Sequence, residues 1–207
     1  MRRDFILSLA AFSCMGAWAA GPAQTLLVLG DSMSAEYGLA RGTGWVALLG
    51  QRLAQHKINA TVVNASVSGD TTAGGRARLP ALLKQHRPAV VVIELGGNDA
   101  LRGLALQSTE DNLKRMTQAA QDAGARVLLV GMQVPPNYGA SYTQRFAAMF
   151  EAVARERKAA LVPFLLAGVA DGPDAATMFQ ADRIHPLAKA HPRMLDNVWP
   201  ALRKLLG

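Results

Sequence analysis

A serine near the start of the chain and an aspartate–histidine pair near its end are the residues whose types and spacing could carry out chemistry. An apolar run leads into Gly30-Asp31-Ser32-Met33, so Ser32 lies where a strand gives way to a tight turn. Asp182 and His185 are three residues apart. A serine hydroxyl is a poor nucleophile until a base accepts its proton, and an imidazole oriented by a carboxylate can be that base. The pattern therefore predicts a nucleophilic hydrolase with Ser32 as nucleophile, His185 as base and Asp182 as the acid that orients it.

Five apolar runs that alternate with helical segments must position these residues. The runs cover residues 25–29, 58–63, 89–95, 126–132 and 160–164, and the helical segments cover residues 44–56, 75–86, 109–123 and 141–158, with a last helix after Pro186. Gly124 is a predicted helix stop. Such alternation is typical of a parallel sheet with helices on both faces. We therefore predict a flavodoxin-like three-layer α/β/α sandwich with a five-stranded parallel sheet. Polar, glycine-rich segments follow the first four runs, and we expect the chemistry at the sheet edge where they meet.

The first nineteen residues have the features of a secretory signal peptide. Arg2 and Arg3 form a basic start, residues 5–15 are mostly apolar, and Ala17-Trp18-Ala19 is a small-x-small cleavage site. The apolar stretch is too short, and wrongly flanked, for a membrane span. We therefore predict cleavage after Ala19, a single domain over residues 20–207, and a periplasmic or secreted protein.

The one cysteine of the chain, Cys14, lies inside this predicted signal peptide. A lipoprotein anchor on Cys14 is the alternative, but the bulky Phe12 near the required cleavage point disfavours it. If the signal peptide is removed, the remaining chain holds neither a disulfide nor a thiol nucleophile.

The charge pattern narrows the range of partners. The formal net charge is +7, with basic residues scattered along the chain rather than interleaved with aromatic ones. We therefore expect no nucleic-acid partner, while attraction to anionic lipid head groups or acidic substrates stays open. The chain has no dinucleotide-binding or Walker-type glycine loop, no G-x-S-x-G elbow and no H-E-x-x-H motif or other dense ligand cluster. We expect neither a cofactor nor a catalytic metal.

Four sequence blocks, in this order along the chain, resemble the SGNH hydrolases, also called GDSL-type esterases. They are Gly30-Asp31-Ser32-Met33-Ser34, Asn64-Ala65-Ser66-Val67-Ser68-Gly69-Asp70, Gly96-Gly97-Asn98-Asp99 and Asp182-Arg183-Ile184-His185-Pro186. Most of the chain is similar to the bacterial periplasmic members that act on acyl thioesters, lysophospholipids and aryl esters. The resemblance implies an acyl-enzyme on Ser32. It also implies an oxyanion hole made of the backbone N–H groups of Ser32 and Gly69 and the side-chain amide of Asn98.

Each of these assignments has a structural alternative. Ser32 could only cap a turn or a helix, Gly69 could only permit a turn, and Asp182 with His185 could form a helix N-cap. His191 also precedes a proline, but no acidic residue lies three positions before it. Three more serines are secondary candidates that fit a hydrogen-bonding scaffold better: Ser34, Ser66 and Ser68.

Apolar residues beside these blocks predict the substrate. Leu101, Leu104 and Leu106 follow the asparagine block, and Pro136 lies in the loop after the fourth strand, so we predict that they form an apolar acyl-binding groove. The alternative, that the leucines only pack against the next helix, has equal standing. We expect a monomeric serine esterase that hydrolyses small-molecule substrates: aryl and alkyl esters, acyl-CoA and lysophospholipids. It should favour neutral to alkaline pH, because the imidazole must be neutral to accept a proton. The alternatives are a carbohydrate-active deacetylase of the same family and a non-catalytic acyl- or lipid-binding module.

Overall fold

Five strands form one parallel sheet in the computed structural model, which describes residues 23–207. The strands are β1 (Gln24–Gly30), β2 (Ala60–Asn64), β3 (Val90–Glu94), β4 (Arg126–Val130) and β5 (Ala160–Val162). Their order across the sheet is β2-β1-β3-β4-β5, and every neighbouring pair is parallel. The predicted sheet is confirmed. The predicted signal peptide lies outside the described residues.

Within residues 23–207, six helices flank this sheet: α1 (Trp45–Gln55), α2 (Thr72–His86), α3 (Gly97–Leu101), α4 (Leu106–Asp122), α5 (Ala140–Arg157) and α6 (His191–Leu206). The crossover through α1 runs from β1 outward to β2, whereas the later crossovers run in the opposite direction across the sheet. Right-handed crossovers then place α1 on one face and α2, α4 and α5 on the other. Accordingly α1 packs against α6, and α4 packs against both α2 and α5. The predicted three-layer sandwich is therefore confirmed. No helix within residues 23–207 is both long enough and apolar enough to span a membrane.

The central strands are buried on both sides, which explains their unbroken apolar sequences. Leu26 to Leu29 in β1 have no exposed surface, and all five residues of β3 are buried. A strand covered by helices on both faces has no solvent side, so it carries no polar alternation. Glu94, the last residue of β3, is the exception to this composition and lies at the edge where the predicted chemistry should be.

Two helices, α2 and α4, begin earlier than the sequence predicts. The α2 helix begins at Thr72, three residues earlier than predicted, because the Thr71 hydroxyl accepts a hydrogen bond from the Gly74 N–H at 3.3 Å. Capping of this kind satisfies a backbone donor that the first helical turn leaves free. The predicted helix stop at Gly124 agrees with the structure, since α4 ends at Asp122 and Gly124 has a left-handed φ of +84°.

The sequence does not predict the short α3 helix, which begins in the polar, glycine-rich segment after the third strand. It lies between two glycines with left-handed backbone, Gly96 (φ +124°) and Gly103 (φ +64°). A five-residue helix is too short for the apolar periodicity that identifies longer ones. The α3 helix nevertheless carries Asn98, so its position matters for the site.

Two glycines provide a matched test of this packing. A Cβ on Gly131, just after β4, would lie against the Pro163 carbonyl oxygen, whereas a Cβ on Gly50 in α1 would meet nothing within 4 Å. We expect Gly131→Ala to destabilise the fold by about 1–3 kcal/mol, as overpacking does. Gly50→Ala should stabilise it by about 0.5–1 kcal/mol, because alanine loses less backbone entropy in a helix. Urea denaturation of both variants measures this, and equal effects of the same sign would contradict the packing described.

Candidate active site

The strand order brings three of the four sequence blocks to one edge of the sheet. Ser32 follows β1, Gly69 lies in the segment after β2, and Asn98 lies in α3 directly after β3. The β1 strand is hydrogen-bonded to both β2 and β3, so the three segments leave from adjacent strands. The chain leaves β1 and β3 toward opposite faces, and a crevice at the carboxyl ends of the strands is the usual result.

The fourth block reaches this edge by a long return from β5, the far side of the sheet. Residues 163–190 make the return without a long helix. Gln180 ties it to the segment after β1, since its Nε2 donates to the Tyr37 carbonyl at 2.9 Å and its N–H donates to the His185 carbonyl at 2.8 Å. Gly38 permits this approach, because a side chain there would collide with Gln180.

Ser32, His185 and Asp182 form a continuous hydrogen-bonded chain. The Ser32 Oγ lies 2.8 Å from His185 Nε2, and His185 Nδ1 lies 2.7 Å from Asp182 Oδ2. A carboxylate can only accept, so Nδ1 carries the ring proton and Nε2 is left to accept the serine hydroxyl. Nucleophile, base and orienting acid would need this geometry. The structure therefore brings together the three residues that the sequence singled out for nucleophilic chemistry.

Asp182 also shapes its own loop. Its Oδ1 accepts the backbone N–H groups of Ile184 at 2.9 Å and His185 at 3.0 Å. The hydrogen bond from the His185 ring, followed by those from the backbone, lowers the pKa of Asp182 to about 2. Asp182 is therefore ionised at every pH at which the imidazole can act as a base. The two residues do not cap a helix, since α6 begins only at His191.

The glycine segment has the backbone that a close approach requires. Gly69 has a φ of +79°, a conformation that other residues rarely adopt. Its carbonyl accepts a hydrogen bond of 2.7 Å from the Arg102 guanidinium. The Arg78 guanidinium holds the same segment by donating to the Asp70 carboxylate and to the Ala65 carbonyl, the latter at 2.8 Å. Four hydrogen bonds from Arg78 and Arg102 therefore anchor this loop.

Asn98 lies opposite the serine turn and is held by a carboxylate. Its Nδ2 donates to Asp31 Oδ2 at 2.9 Å, and Asp31 Oδ1 accepts the Met33 N–H at 3.0 Å. An amide nitrogen has two hydrogens, so the second N–H of Asn98 is not used by this contact. Ser32, Gly69 and Asn98 thus lie in the three segments that follow adjacent strands, as donors to one oxyanion would have to.

A buried polar cluster lies beneath this edge. Glu94 Oε2 accepts the Ser34 hydroxyl at 2.7 Å, and Ser34 Oγ accepts the Trp45 indole N–H at 3.2 Å. Gly30 pairs with Glu94 across the sheet, and a Cβ on Gly30 would come within 2.9 Å of Glu94 Oε2. Glycine is therefore required before Asp31 because the carboxyl of the neighbouring strand fills the space of a side chain.

Burial shifts both acids of this cluster in the same direction. Desolvation raises the pKa of Asp31 to about 6, against the lowering effect of the hydrogen bonds from Met33 and Asn98. Desolvation, with the nearby Asp31 charge as a second cause, raises the pKa of Glu94 well above its usual range. Two buried carboxyls so close together cannot both be charged without great cost, and Glu94 is the one favoured as the neutral acid.

The competing candidates have structural roles. His191 is buried, its Nδ1 accepts the Trp45 N–H at 3.0 Å at the start of α1, and burial lowers its pKa. Ser34 is the scaffold residue described above, Ser66 Oγ is buried without a hydrogen-bond partner among residues 23–207, and Ser68 is exposed. None of these contacts the chain formed by Ser32 and His185.

Sequence analysis missed three residues at the site. The Tyr37 ring lies 4.3 Å from the His185 ring, centroid to centroid, and Gln180 and Glu94 make the contacts given above. Glu94 could have been found, since a carboxylate inside an otherwise apolar buried strand requires an explanation. Tyr37 and Gln180 carried no comparable signal, because their roles depend on the course of the long return from β5.

The predicted substrate residues are only partly gathered. Leu101 and Leu104 are 48% and 40% exposed, and Leu106 packs partly against the core as the first residue of α4. Leu104 and Leu106 line a cavity of about 650 Å³ between α4 and α5 with Tyr142 and Met149. Neither Ser32 nor His185 lines that cavity. The backbone of Pro136 begins a short 3-10 turn, and its side chain lies outside the described part of the structure.

No three His, Cys, Asp or Glu side chains between residues 23 and 207 form a group that could hold a metal ion.

Comparison with known proteins identifies the class that this fold and site belong to. The model of the GDSL-like lipase/acylhydrolase family matches residues 28–193. The chain belongs to this family, which confirms the resemblance found in the sequence. Membership makes it a hydrolase, and the family supports serine ester hydrolysis.

Individual relatives agree with this assignment. The chain is 57% identical to the esterase TesA of Pseudomonas aeruginosa over 89% of this chain and 90% of that protein. It is 43% identical to the thioesterase 1/protease 1/lysophospholipase L1 of Escherichia coli over 91% of this chain and 88% of that protein. The crystal structure of TesA superposes with a TM-score of 0.84 at 56% identity, covering 88% of this chain and 99% of that one.

The raised pKa of Glu94 has a measurable consequence for stability. Its pKa is raised in the folded protein, so above about pH 4.5 the unfolded chain releases a proton that the folded protein keeps. Stability contributed by this group is therefore lost progressively as the pH rises from about 4.5 towards the folded-state pKa. Glutamine cannot ionise, so the Glu94→Gln variant does not lose this stability. The melting temperature of the variant relative to that of the wild type should therefore rise between pH 4.5 and 8.

Thermal denaturation across that pH range measures the effect. Glu151→Gln, an exposed position on α5, is the matched control and should show a difference that does not change with pH. A Glu94→Gln difference that is the same at pH 5 and pH 8 would mean that Glu94 is already ionised in the folded protein.

Proposed function

We propose that the chain hydrolyses carboxylic esters and thioesters through an acyl-enzyme on Ser32. The observation that carries this proposal is the hydrogen-bonded chain from Ser32 Oγ through His185 to Asp182, with links of 2.8 and 2.7 Å. His185 accepts the serine proton as the hydroxyl attacks the ester carbonyl, and then donates it to the leaving group. Asp182 keeps the imidazole in the required tautomer and stabilises the imidazolium. Water, activated by the same histidine, then hydrolyses the acyl-enzyme.

The negative charge of the tetrahedral intermediate needs donors in place before the reaction. We assign this role to the backbone N–H groups of Ser32 and Gly69 and to the free amide N–H of Asn98. Fixed donors stabilise a developing charge without reorganisation, and one such donor contributes about 3–4 kcal/mol. The left-handed backbone of Gly69 and the polar anchors of its loop support a preorganised hole.

The surface around Ser32 favours substrates with an apolar acyl group. Large apolar side chains with more than a third of their surface exposed lie, within residues 23–207, in the segments that follow the five strands: Tyr37, Val67, Leu101, Leu104, Tyr138, Ile184 and Leu187. Exposed apolar surface concentrated around one site indicates a binding role. We therefore propose acyl chains, in aryl or alkyl esters, acyl thioesters and lysophospholipids, as the bound moiety. A sugar deacetylase would need a smaller and more polar acyl-binding surface. A non-catalytic lipid-binding module would not need the hydrogen bond between Ser32 and His185.

The basic start, apolar stretch and small-x-small site of residues 1–19 support a location outside the cytoplasm. We propose that residues 1–19 are a signal peptide and that the processed chain acts outside the cytoplasm as a monomer. Transient contact with anionic lipid fits the net charge of +7 and the apolar side chains around the site.

Substitution of the proposed catalytic residues tests the mechanism directly. Ser32→Ala and His185→Ala should abolish nearly all turnover of a short-chain aryl ester, because nucleophile and base act as a unit. Asn98→Ala should cost less, about a hundredfold or more in kcat. Ser108→Ala, an exposed serine on α4, is the control and should keep wild-type activity. Ser32→Ala with most of its activity retained would contradict the assignment.

Aryl esters of graded acyl length test the substrate class. Each methylene that enters an apolar groove contributes about 0.8 kcal/mol, so kcat/KM should rise about fourfold per carbon until the groove is full. Leu104→Ser should flatten this rise for long chains and leave acetyl-ester turnover unchanged. The same series as acyl-CoA and lysophospholipid substrates identifies the leaving group. Activity confined to acetyl groups, above all on acetylated sugars, would favour the deacetylase instead.

A further inference from the structure

We propose that Asp31 is a positioning residue that orients the side-chain amide of Asn98 toward the oxyanion. This inference rests on the proposed function. Its basis is the contact of 2.9 Å between Asp31 Oδ2 and Asn98 Nδ2. The two N–H bonds of a primary amide lie in one plane at a fixed angle. When one N–H is committed to Asp31, the direction of the other is therefore set.

Asp31 is itself held rigidly, so it can serve as a reference for Asn98. Its side chain is only 2% exposed, and its second oxygen accepts the Met33 N–H at 3.0 Å. Its backbone carbonyl accepts the N–H groups of Ser34 and Ala35 at 3.1 and 3.0 Å. One residue thus belongs to the turn that carries Ser32 and also contacts the helix that carries Asn98, so it couples the nucleophile to the proposed donor.

The chemistry of the contact requires a carboxylate rather than an amide. Both Asp31 oxygens act as acceptors in the structure, from Met33 and from Asn98. An asparagine at position 31 has one oxygen and one NH₂ group, so it can satisfy only one of these donors and turns N–H toward N–H at the other.

The protonation of Asp31 offers a second test of its role, because it changes the contact with Asn98 without a mutation. The charged groups that act on it are His185, whose charge favours the ionised form, and Asp70, which disfavours it. Glu94 also faces Asp31 and accepts its backbone N–H at 3.4 Å. Burial is the largest influence and raises the pKa of Asp31 to about 6. Below that pH Asp31 gains a proton, its acceptor for Asn98 weakens, and the amide is free to turn.

A double-mutant cycle on aryl-ester hydrolysis by the full-length chain tests the coupling. Asp31→Asn should lower kcat by about tenfold or more with little change in KM, because the ground-state ester needs no oxyanion donor. In the Asn98→Ala background the same substitution should cost no more than about threefold, since the residue it acts through is gone. Equal costs in both backgrounds would overturn the proposal and assign the effect of Asp31 to the serine turn.

A pH comparison that leaves position 31 intact covers the case in which Asp31→Asn does not fold. The ratio of wild-type kcat to Asn98→Ala kcat cancels every pH effect that the two enzymes share. This ratio should be largest above pH 7 and should shrink several-fold as the pH falls through about 6. A ratio that is constant from pH 5 to 8 would overturn the role of Asp31. A wild-type protein without any ester turnover would instead contradict the proposed function.

Discussion

The reversal of strand order between β1 and β3 is the constraint on which the rest of the site depends. Because β2 lies on one side of β1 and β3 on the other, the segments after these three strands leave from adjacent positions of one edge. Their helices depart toward opposite faces, so the crevice above the strand ends stays open to substrate. Ser32, Gly69 and Asn98 are therefore close in space although 66 residues separate the first from the last. Chemistry at this edge needs one further group, a base, and that group has to come from elsewhere.

Two carboxyl groups are buried at this edge, beside the most apolar part of the sheet, and their burial lowers the stability of the fold. Asp31 and Glu94 are each 2% exposed, and burying a charge without full compensation is strongly unfavourable. Their partners offset part of this cost: the Ser34 hydroxyl for Glu94, and the Met33 and Asn98 N–H groups for Asp31. Apolar residues of similar size would pack more favourably in this position. Residues that lower stability in this way are expected where a protein needs them for its function.

Features that depend on local sequence patterns could be predicted. Features that depend on the path of residues 163–190, from β5 back to the site, could not. The five strands were predictable because a sheet covered on both faces demands unbroken apolar runs, as in Val90-Val91-Val92-Ile93. The candidate residues were predictable because three of them directly follow strands. The contacts of Tyr37 and Gln180 were not, since residues 163–190 cross the sheet edge by a path that no periodicity encodes. The environment of the leucines proposed to bind substrate was only partly predictable, because the sequence alone does not distinguish an exposed leucine from a packed one.

The α3 helix, which the sequence did not predict, fixes the spacing of the three proposed oxyanion donors. Asn98 in its first turn contacts Asp31 after β1, and Arg102 at its end contacts the Gly69 carbonyl after β2. A helix of five residues is not stable by itself, so these polar contacts hold it as much as it holds the loops. Asp99 adds a third link by accepting the Thr72 N–H at 2.8 Å, which ties α3 to the start of α2. These contacts anchor the three segments that carry the proposed donors to one another, while the strands set only where each segment begins.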